Sequence, residues 1–399
     1  MRPFPVEFTH LRRMTDDTGL LEHALGKIPR RREGYTTDDN ARALWMCVEW
    51  MRAAEHLNVS ATAPDAAVRE ARARVEGLGE LADVYLSYLV WVQGQDGWFH
   101  NNVAYGGRFE PEEPSADCQG RALWATACAA LWLPREDQSW VAQGLCKTGF
   151  RALDRIAHPR GWAHALSAAA LLLREADAHD HLGADFLAWV HDEIPRVIRD
   201  LALRLVGLYE RASRPGWHWF EPVMTYSNGV FPWALWEAWP VLEEARVKRI
   251  ASDSLAFLAD RMTAPHGHVR PIGNRGWCTP ERAAQWDQQP IEVMKLALAC
   301  RAAHAATGDA AYREIIRRCR EWYHGANDLG VSMVDPEDGA CFDGLCEHGV
   351  NANCGAESTL SYLICEAIHL PFVAGLDTAR VIPSAPVPGA DRRASASGV

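Results

Sequence analysis

Three carboxylate residues lie in sequence surroundings that would give them different acidities. Glu221 ends the run Trp-His-Trp-Phe-Glu, whose aromatic bulk disfavours a charge, so we expect it to be the general acid. Asp39 follows Asp38 at a predicted helix start, where the helix dipole favours a carboxylate. We therefore expect Asp39 to be ionised and to act as a base or nucleophile, with Glu357 as a second candidate for either role. Two carboxyl groups with separated pKa values are what glycoside cleavage requires.

Each of these residues also has a structural interpretation. Asp39 and Glu357 stand where a carboxylate stabilises a helix N-terminus, and Glu221 precedes a proline and could cap a loop. Glu292, which follows Gln-Gln-Pro, belongs to a predicted first helical turn and is a weaker candidate. The sequence leaves the catalytic and the structural interpretations open.

The chain contains 17 tryptophans, many of them beside Gly, Asp, His or Asn in segments that resemble polar loops. Flat aromatic faces that line a polar cleft suit sugars, which have apolar faces and polar edges. We expect the substrate contacts to come from these loops and from the adjoining helix starts. The candidates are Tyr35, Asp38, Trp98, His100, Asp117, Trp217, Trp219, Tyr226, Arg270, Trp277, Glu292 and Asn351.

A cassette of the form Asp-x-x-x-Arg-Ala-Leu-Trp occurs twice, at 38–45 and at 117–124. Thr37 and Ser115 precede the two aspartates and resemble N-caps. Each aspartate would lie in a first helical turn, where the arginine four residues later can pair with it. The cassette therefore predicts two equivalent helix starts in a repeated architecture.

Six segments, rich in Ala, Trp, Leu and Cys and poor in charge after their first turn, predict buried helices that recur about every 64 residues. Amphipathic segments between them predict outer helices at about 66–92, 137–157, 183–211, 241–262 and 308–324. This order predicts an all-α (α/α)6 toroid, or six-hairpin barrel, formed by residues 1–372 as one domain. We expect residues 18–27 to supply the sixth outer helix, and residues 373–399 to form a disordered tail.

The composition argues against several classes of partner. A net charge of −11, spread among arginines, disfavours nucleic acid. No apolar run reaches the ~18 residues of a membrane span, and the N-terminus lacks the apolar segment of a signal peptide, so we expect a cytoplasmic protein. The eleven cysteines occur mainly in apolar helical segments, and the cluster Cys341, Cys346, His348 and Cys354 lacks a Cys-x-x-Cys pair. We therefore expect neither a metal nor another cofactor.

Five motifs together resemble those of bacterial glycosidase-like (α/α)6 proteins associated with or fused to glycosyltransferases. They are TDDTG (15–19), EGYTTDDNARAL (33–44), ADCQGRALWA (116–125), QQPIE (288–292) and NCGAESTLSYL (353–363). The resemblance spans residues 10–370 and implies the six-hairpin fold, a carbohydrate context and a functional link to a glycosyltransferase. Ala116 and Ser227 depart from acidic residues in the pattern, which argues against catalytic roles at those two points.

The sequence favours a glycoside hydrolase that acts on an oligosaccharide through two carboxylates. A sugar epimerase or isomerase is an alternative within enzymes, and it would use histidines such as His100, His218, His266 or His268 as bases. A non-catalytic sugar-binding ring that assists a glycosyltransferase is a second alternative. Terpene cyclases are also aromatic-lined helical rings with Asp-rich motifs, but here those motifs stand among charged residues, which disfavours that class.

Overall fold

Six buried helices form the centre of the structure, a computed structural model that describes residues 6–57 and 65–373. They are α2 (Thr37–Leu57), α4 (Ala116–Trp132), α6 (Pro159–Glu175), α9 (Val230–Leu242), α11 (Pro290–Thr307) and α13 (Ala356–Val373). Each contacts the next in this order, and α13 contacts α2, so the ring closes. The predicted (α/α)6 toroid is therefore confirmed. The predicted tail, from residue 374 onward, lies outside the described residues.

Five further helices pack outside the ring: α3 (Asp65–Val92), α5 (Glu136–Phe150), α8 (Ile194–Ala212), α10 (Ala245–Arg261) and α12 (Ala311–Tyr323). They match the predicted amphipathic segments, with one difference. The segment predicted at 183–211 is divided into α7 (Ala184–Asp192) and α8. Pro195 lies in the first turn of α8, where its missing N–H would not be hydrogen-bonded in any case, and it cannot continue the preceding helix.

The expected sixth outer helix at residues 18–27 is not formed, which corrects that prediction. The short helix α1 (Thr9–Met14) lies against α13 instead, and residues 24–29 form a hairpin of β1 (Ala24–Leu25) and β2 (Ile28–Pro29). The Asp16 carboxylate accepts hydrogen bonds from the backbone N–H groups of Thr18 and Gly19. This side-chain turn competes with helix formation, as aspartate often does.

Three further strand pairs come from loops that precede the inner helices. β3 (Tyr35–Thr36) pairs with β4 (Asn102–Val103), β5 (Val334–Asp335) with β6 (Ala340–Cys341), and β7 (Gly344–Cys346) with β8 (Gly349–Asn351). All three are antiparallel, and each strand has only two or three residues. They order the long loops on the face of the ring where the inner helices begin.

None of the described helices is long and apolar enough to cross a membrane. All eleven cysteines are unpaired, and ten of them are buried. They pack as small apolar residues.

Helices α4 and α6 approach each other closely at two glycines. A Cβ added at Gly120 would lie 2.8 Å from the Cβ of His164, and one at Gly161 would lie 2.4 Å from the backbone oxygen of Ala116. The close approach brings Asp117 and His164, which neighbour these glycines, into the same region of the ring.

We expect Gly161→Ala to lower the free energy of unfolding by about 1–3 kcal/mol, because backbone atoms of α4 would have to move to admit the methyl group. Gly144→Ala is the matched control, since Gly144 lies in α5 with open space around its Cα. That change should raise the free energy of unfolding by up to ~1 kcal/mol through helix propensity. Urea unfolding would measure both values, and equal stability of the two variants would contradict the close packing.

Candidate functional site

A polar cavity of about 610 Å³ opens where the inner helices begin, and we call it the rim cavity. It is lined by the starts of α2, α11 and α13 together with loops around them. Six of the lining residues are acidic: Glu22, Asp38, Asp39, Asp287, Asp343 and Glu357. The amide side chains of Asn274, Gln288, Gln289 and Asn351 add donors and acceptors to the wall.

Two buried arginines of the repeated cassette hold four carboxylates beside this cavity. Arg121 donates to Asp117 at 2.9 Å, as the cassette predicts, and also to Asp38 of the neighbouring helix at 2.8 Å. Arg42 donates to Asp39 and, at 3.1 Å, to Glu357 of α13. The two cassettes are therefore joined across α2, α4 and α13 in one network of charges.

The start of α2 differs in detail from the cassette prediction. Ser115 is the N-cap of α4, accepting from the Cys118 N–H at 3.2 Å, as predicted. Thr37, by contrast, is already the first residue of α2, and its hydroxyl donates to the His100 carbonyl. Arg42 pairs mainly with Asp39, three residues earlier, and stands 3.9 Å from Asp38.

Asp38 and Asp39 have opposite pKa shifts. Burial raises the pKa of Asp39 well above its usual value, and the charges of Asp38, Glu357 and Glu22 add to the rise against the opposing effect of Arg42. At Asp38, burial is outweighed by Arg121 and Arg42, and the pKa is lowered. This shift is opposite to the expected one, since the sequence predicted that the helix start would keep Asp39 ionised, whereas burial and three neighbouring acids raise its pKa.

Glu357 lies in the first turn of α13, which begins at Ala356. Its side chain is 39% exposed, whereas that of Asp39 is 7% exposed. The Arg42 guanidinium contacts both carboxylates, so these side chains from two different helices lie beside the same cation. The structure thus brings two of the three predicted catalytic residues together, one buried and one accessible to solvent.

Glu221, which the sequence suggested as the general acid, is paired with an arginine. Its two carboxylate oxygens accept from the two terminal nitrogens of Arg160, each at 3.0 Å. Arg160 is fully buried at the start of α6 and also donates to the Tyr226 carbonyl and the Thr225 hydroxyl. This bidentate ion pair uses both oxygens of Glu221 and holds the loop before α9 in place. It corrects the assignment of Glu221 as a free acid.

Tyr226 lies between the Glu221–Arg160 pair and Asp117. Its ring lies under the Arg160 guanidinium at 4.5 Å, and burial together with the Asp117 charge raises the pKa of Tyr226 to about 12. Glu221 therefore lies on the same face of the ring as Asp117, beside α6, and it does not line the rim cavity.

Two buried residues beneath the carboxylates were not identified from the sequence as site candidates. His164 of α6 is 1% exposed, neither of its ring nitrogens has a hydrogen-bond partner, and Nε2 lies 4.0 Å from the Asp117 carboxylate. Lys295 of α11 is 2% exposed and stands over the rings of Trp233 at 5.2 Å and Trp45 at 5.7 Å. Both occur in apolar helical segments, where a single polar residue gives little signal.

Burial and nearby cations lower the pKa of both residues. The pKa of Lys295 is well below its usual value because of burial first, and then because of Arg121 and Arg42. Burial, followed by Lys295 and Arg121, likewise lowers the pKa of His164. A lowered pKa favours the uncharged form, in which an imidazole or an amine can accept a proton.

The predicted aromatic platforms are not part of the rim cavity. Trp217 and Trp219 are fully buried and pack against Phe257, because apolar residues of α10 cover them. Trp98 is 8% exposed and carries the Arg155 guanidinium over its ring, and Trp277 is half-buried with a left-handed backbone. Trp98, Trp217 and Trp219 are therefore too buried to be sugar platforms, which corrects those three assignments, whereas the assignment of Trp277 stays a prediction.

The other predicted contacts divide into cavity residues and loop supports. Asp38 and Asn351 line the cavity. Tyr35 is buried and donates to Asp16, Arg270 pairs with Asp328, and fully buried Glu292 accepts from the Asn228 backbone and side chain. Tyr35, Arg270 and Glu292 therefore hold loops in place instead of contacting a ligand.

Histidines of the loops do not reach the rim cavity, apart from His23. His100 bonds to the Asn102 carbonyl, His268 pairs with Asp328 at 3.1 Å, and His218 and His266 are exposed elsewhere. The four histidines that the sequence suggested as epimerase bases are thus not part of the site. Among the described residues, no group of three or more His, Cys, Asp or Glu side chains is arranged to hold a metal ion.

No known family profile and no curated protein sequence matches the chain. Solved structures do share its fold. The cellobiose 2-epimerase from Bacillus thermoamylovorans B4167 is 10% identical with a TM-score of 0.65, and the match covers 91% of this chain and 96% of that chain. A D-mannose isomerase is 11% identical with a TM-score of 0.60, over 92% and 95% of the two chains. The cellulase Cel9M of C. cellulolyticum, in complex with cellobiose, is 8% identical with a TM-score of 0.56, over 89% and 88%. At these identities the similarity establishes the shared toroid fold.

We expect Arg42→Gln to lower the free energy of unfolding by about 3–5 kcal/mol at pH 7, because the cluster of Asp38, Asp39 and Glu357 would lose one of its two cations. Part of this loss should be recovered at pH 5. Without Arg42 the pKa values of the clustered carboxyls rise further, so the folded variant takes up protons that the unfolded chain does not, and its stability increases as the pH falls. Urea unfolding at the two pH values would measure the effect.

Arg135→Gln is the matched control, because Arg135 forms ion pairs with Asp83 and Asp137 at the exposed surface. Its stability should be close to that of the unmodified protein at both pH values. An Arg42→Gln deficit that is absent, or that has the same size at pH 7 and pH 5, would contradict the role given to Arg42.

Proposed function

We propose that this chain is a glycoside hydrolase that cleaves an oligosaccharide bound in the rim cavity. The observation that carries the proposal is the pair of Asp39 and Glu357, two carboxyl groups in different environments that Arg42 joins at the edge of a polar cavity. Two carboxyl groups on either side of a bond are the minimum machinery for this reaction. The similarity in fold to a cellulase that was solved with cellobiose is consistent with a saccharide ligand.

Asp39 is the general acid in this proposal. Its pKa is raised by burial, so it holds a proton at higher pH than an exposed aspartate and can give it to the departing glycosidic oxygen. Glu357 is more exposed and acts as the base that activates water or as the nucleophile at the anomeric carbon. These roles replace the assignment of Glu221 as acid and Asp39 as base.

The remaining lining residues orient the sugar. The amide groups of Gln289 and Asn351 can each donate to and accept from hydroxyl groups, and Asp38, whose pKa is lowered, offers an ionised acceptor. A volume of about 610 Å³ lies within the range of ligand cavities, which run from ~300 to ~1,000 Å³. Arg42 and Arg121 hold the carboxylates in place during the reaction.

Once an oligosaccharide screen read by mass spectrometry has identified a substrate, Asp39→Asn and Glu357→Gln should each reduce kcat by ~10²–10⁴-fold. The rate should fall as the pH rises through the pKa of Asp39, since the acid must be protonated to act. Glu221→Gln should retain most of the turnover, and Asp137→Asn, at the exposed surface, should be unaffected. Full activity of Asp39→Asn, with its fold verified by circular dichroism, would exclude this mechanism.

A sugar epimerase or isomerase is the second candidate, and His164 is the specific observation in its favour. A buried imidazole without a hydrogen-bond partner, close to Asp117, could remove the proton next to the carbonyl of an open-chain sugar, and a protonated group on the opposite face of the resulting enediolate would then supply the proton that inverts the centre. The cellobiose 2-epimerase and the D-mannose isomerase that share the fold are consistent with this chemistry.

Incubation of the protein with cellobiose or mannose in D2O would distinguish the two candidates. Under the hydrolase proposal, we expect no deuterium at C2 of the recovered sugar. Incorporation of deuterium with a new C2 epimer, abolished in His164→Asn, would favour the epimerase. A functional link to a glycosyltransferase, and the role of a sugar-binding ring without catalysis, stay predictions. Complete absence of turnover combined with measurable sugar binding would favour the latter.

A further inference from the structure

A second cavity, of about 430 Å³, lies at the opposite end of the ring from the rim cavity. Its wall contains residues from the later parts of all six inner helices, including Arg52 of α2, Trp132 of α4, Arg174 of α6, Trp236 of α9, Arg301 of α11 and Pro371 of α13. Much of the wall is apolar, with alanines and three tryptophans. Mostly apolar walls with a few polar groups are typical of sites for small organic ligands.

Two of the tryptophans that line this cavity have indole N–H groups without a hydrogen-bond partner. Trp45 donates to Glu49 at 2.8 Å, and Trp233 donates to Glu237 at 3.1 Å, in each case to a glutamate four residues later. The residues four positions after Trp124 and Trp236 are Cys128 and Pro240, which provide no carboxylate.

Trp124 and Trp236, both of which line the cavity, are 4% and 2% exposed, and their indole nitrogens have no hydrogen-bond partner. A buried donor without an acceptor costs free energy. A ligand that brings an acceptor would remove this cost.

Most charged side chains of the cavity wall already form ion pairs with one another, and Arg52 is the exception. Arg301 holds Glu49 through two hydrogen bonds of 2.7 and 2.9 Å, and Arg174 bonds to Glu237 at 2.9 Å and to Glu175 at 3.1 Å. Burial opposes the charge of Glu49, but Arg301 outweighs it and lowers the pKa of Glu49 to about 2.

Arg52 instead lies over the Trp132 ring at 3.7 Å and forms no ion pair with a carboxylate of the described residues. The groups left to bind a ligand are therefore donors and one cation, beside indole and aliphatic surfaces.

We propose that the second cavity binds a compact organic anion, an aromatic body carrying a carboxylate. The Arg52 guanidinium receives the carboxylate, since its planar fork matches the two oxygens. The indole N–H groups of Trp124 and Trp236 supply further donors, and the aromatic body packs against the indoles and the alanines. The proposal concerns a site distinct from the rim cavity and does not depend on the reaction proposed there.

Isothermal titration calorimetry of the full chain would test this site with benzoate, phenylacetate and 3-phenylpropionate as probes. The alcohol 2-phenylethanol is the uncharged counterpart of phenylacetate. We expect at least one of the carboxylates to bind saturably, and the alcohol to bind at least about tenfold more weakly, because it lacks the charge that Arg52 recognises.

Two variants separate the donors from the packing. Arg52→Met keeps an unbranched side chain and removes the cation, and Trp236→Phe keeps a ring and removes the N–H. Each should weaken binding about tenfold or more, in variants whose cooperative thermal unfolding shows that they are folded. Glu357→Gln, at the rim cavity, should bind the same anion as the unmodified protein. Absence of saturable binding at millimolar concentration for all three anions would overturn the proposal. Binding that Glu357→Gln abolishes and Arg52→Met retains would also overturn it.

Discussion

The shared coordination of four carboxylates by Arg42 and Arg121 is the interaction on which the candidate site depends. Charges taken out of water are tolerated only when they are paired with good geometry. Asp38, Asp39, Asp117 and Glu357 come from three inner helices, so their mutual repulsion would otherwise separate α2, α4 and α13 at the end where the helices begin. The guanidiniums of Arg42 and Arg121, whose side chains are 7% exposed or less, offset this repulsion and fix the positions of the carboxylates. There are fewer arginines than acids, and they do not compensate every carboxylate equally. Asp38 and Asp39 therefore differ in acidity although they are neighbours in sequence: the pKa of Asp38 is lowered and that of Asp39 is raised.

The sequence predicted the ring because the information for it is local. Apolar segments with a regular spacing specify buried helices, and the Asp117 to Arg121 pair follows from a four-residue interval on one helix face. The acidity of Asp39 could not be predicted in the same way. It depends on Glu357 and Glu22, which approach through the fold, and on a burial that no motif records. The same reasoning explains Glu221, whose aromatic neighbours suggested a protonated acid. Its partner Arg160 stands 61 positions earlier and begins a different helix.

Tryptophans of the inner helices separate the two ends of the ring. Trp124 packs edge to face against Trp45 at 5.9 Å and against Trp233 at 4.6 Å, measured between ring centroids. Indoles in this geometry gain both apolar burial and favourable ring electrostatics. Above them lie Lys295 and the carboxylates, and below them lie the ion pairs of Glu49 and Glu237. The abundance of tryptophan, which the sequence suggested to be a sugar-binding feature of the loops, is in the inner helices a means of filling the ring.

The contact between Arg42 and Glu357 joins residues that are 315 positions apart. During synthesis on the ribosome, the first inner helix is therefore exposed long before the last one exists, and Asp39 has only part of its final electrostatic surroundings in that interval. The paired carboxyl groups come together when the sixth helix docks, because that helix brings Glu357 and closes the circle. A nascent or truncated chain without the sixth inner helix thus lacks the arrangement that the proposed reaction needs.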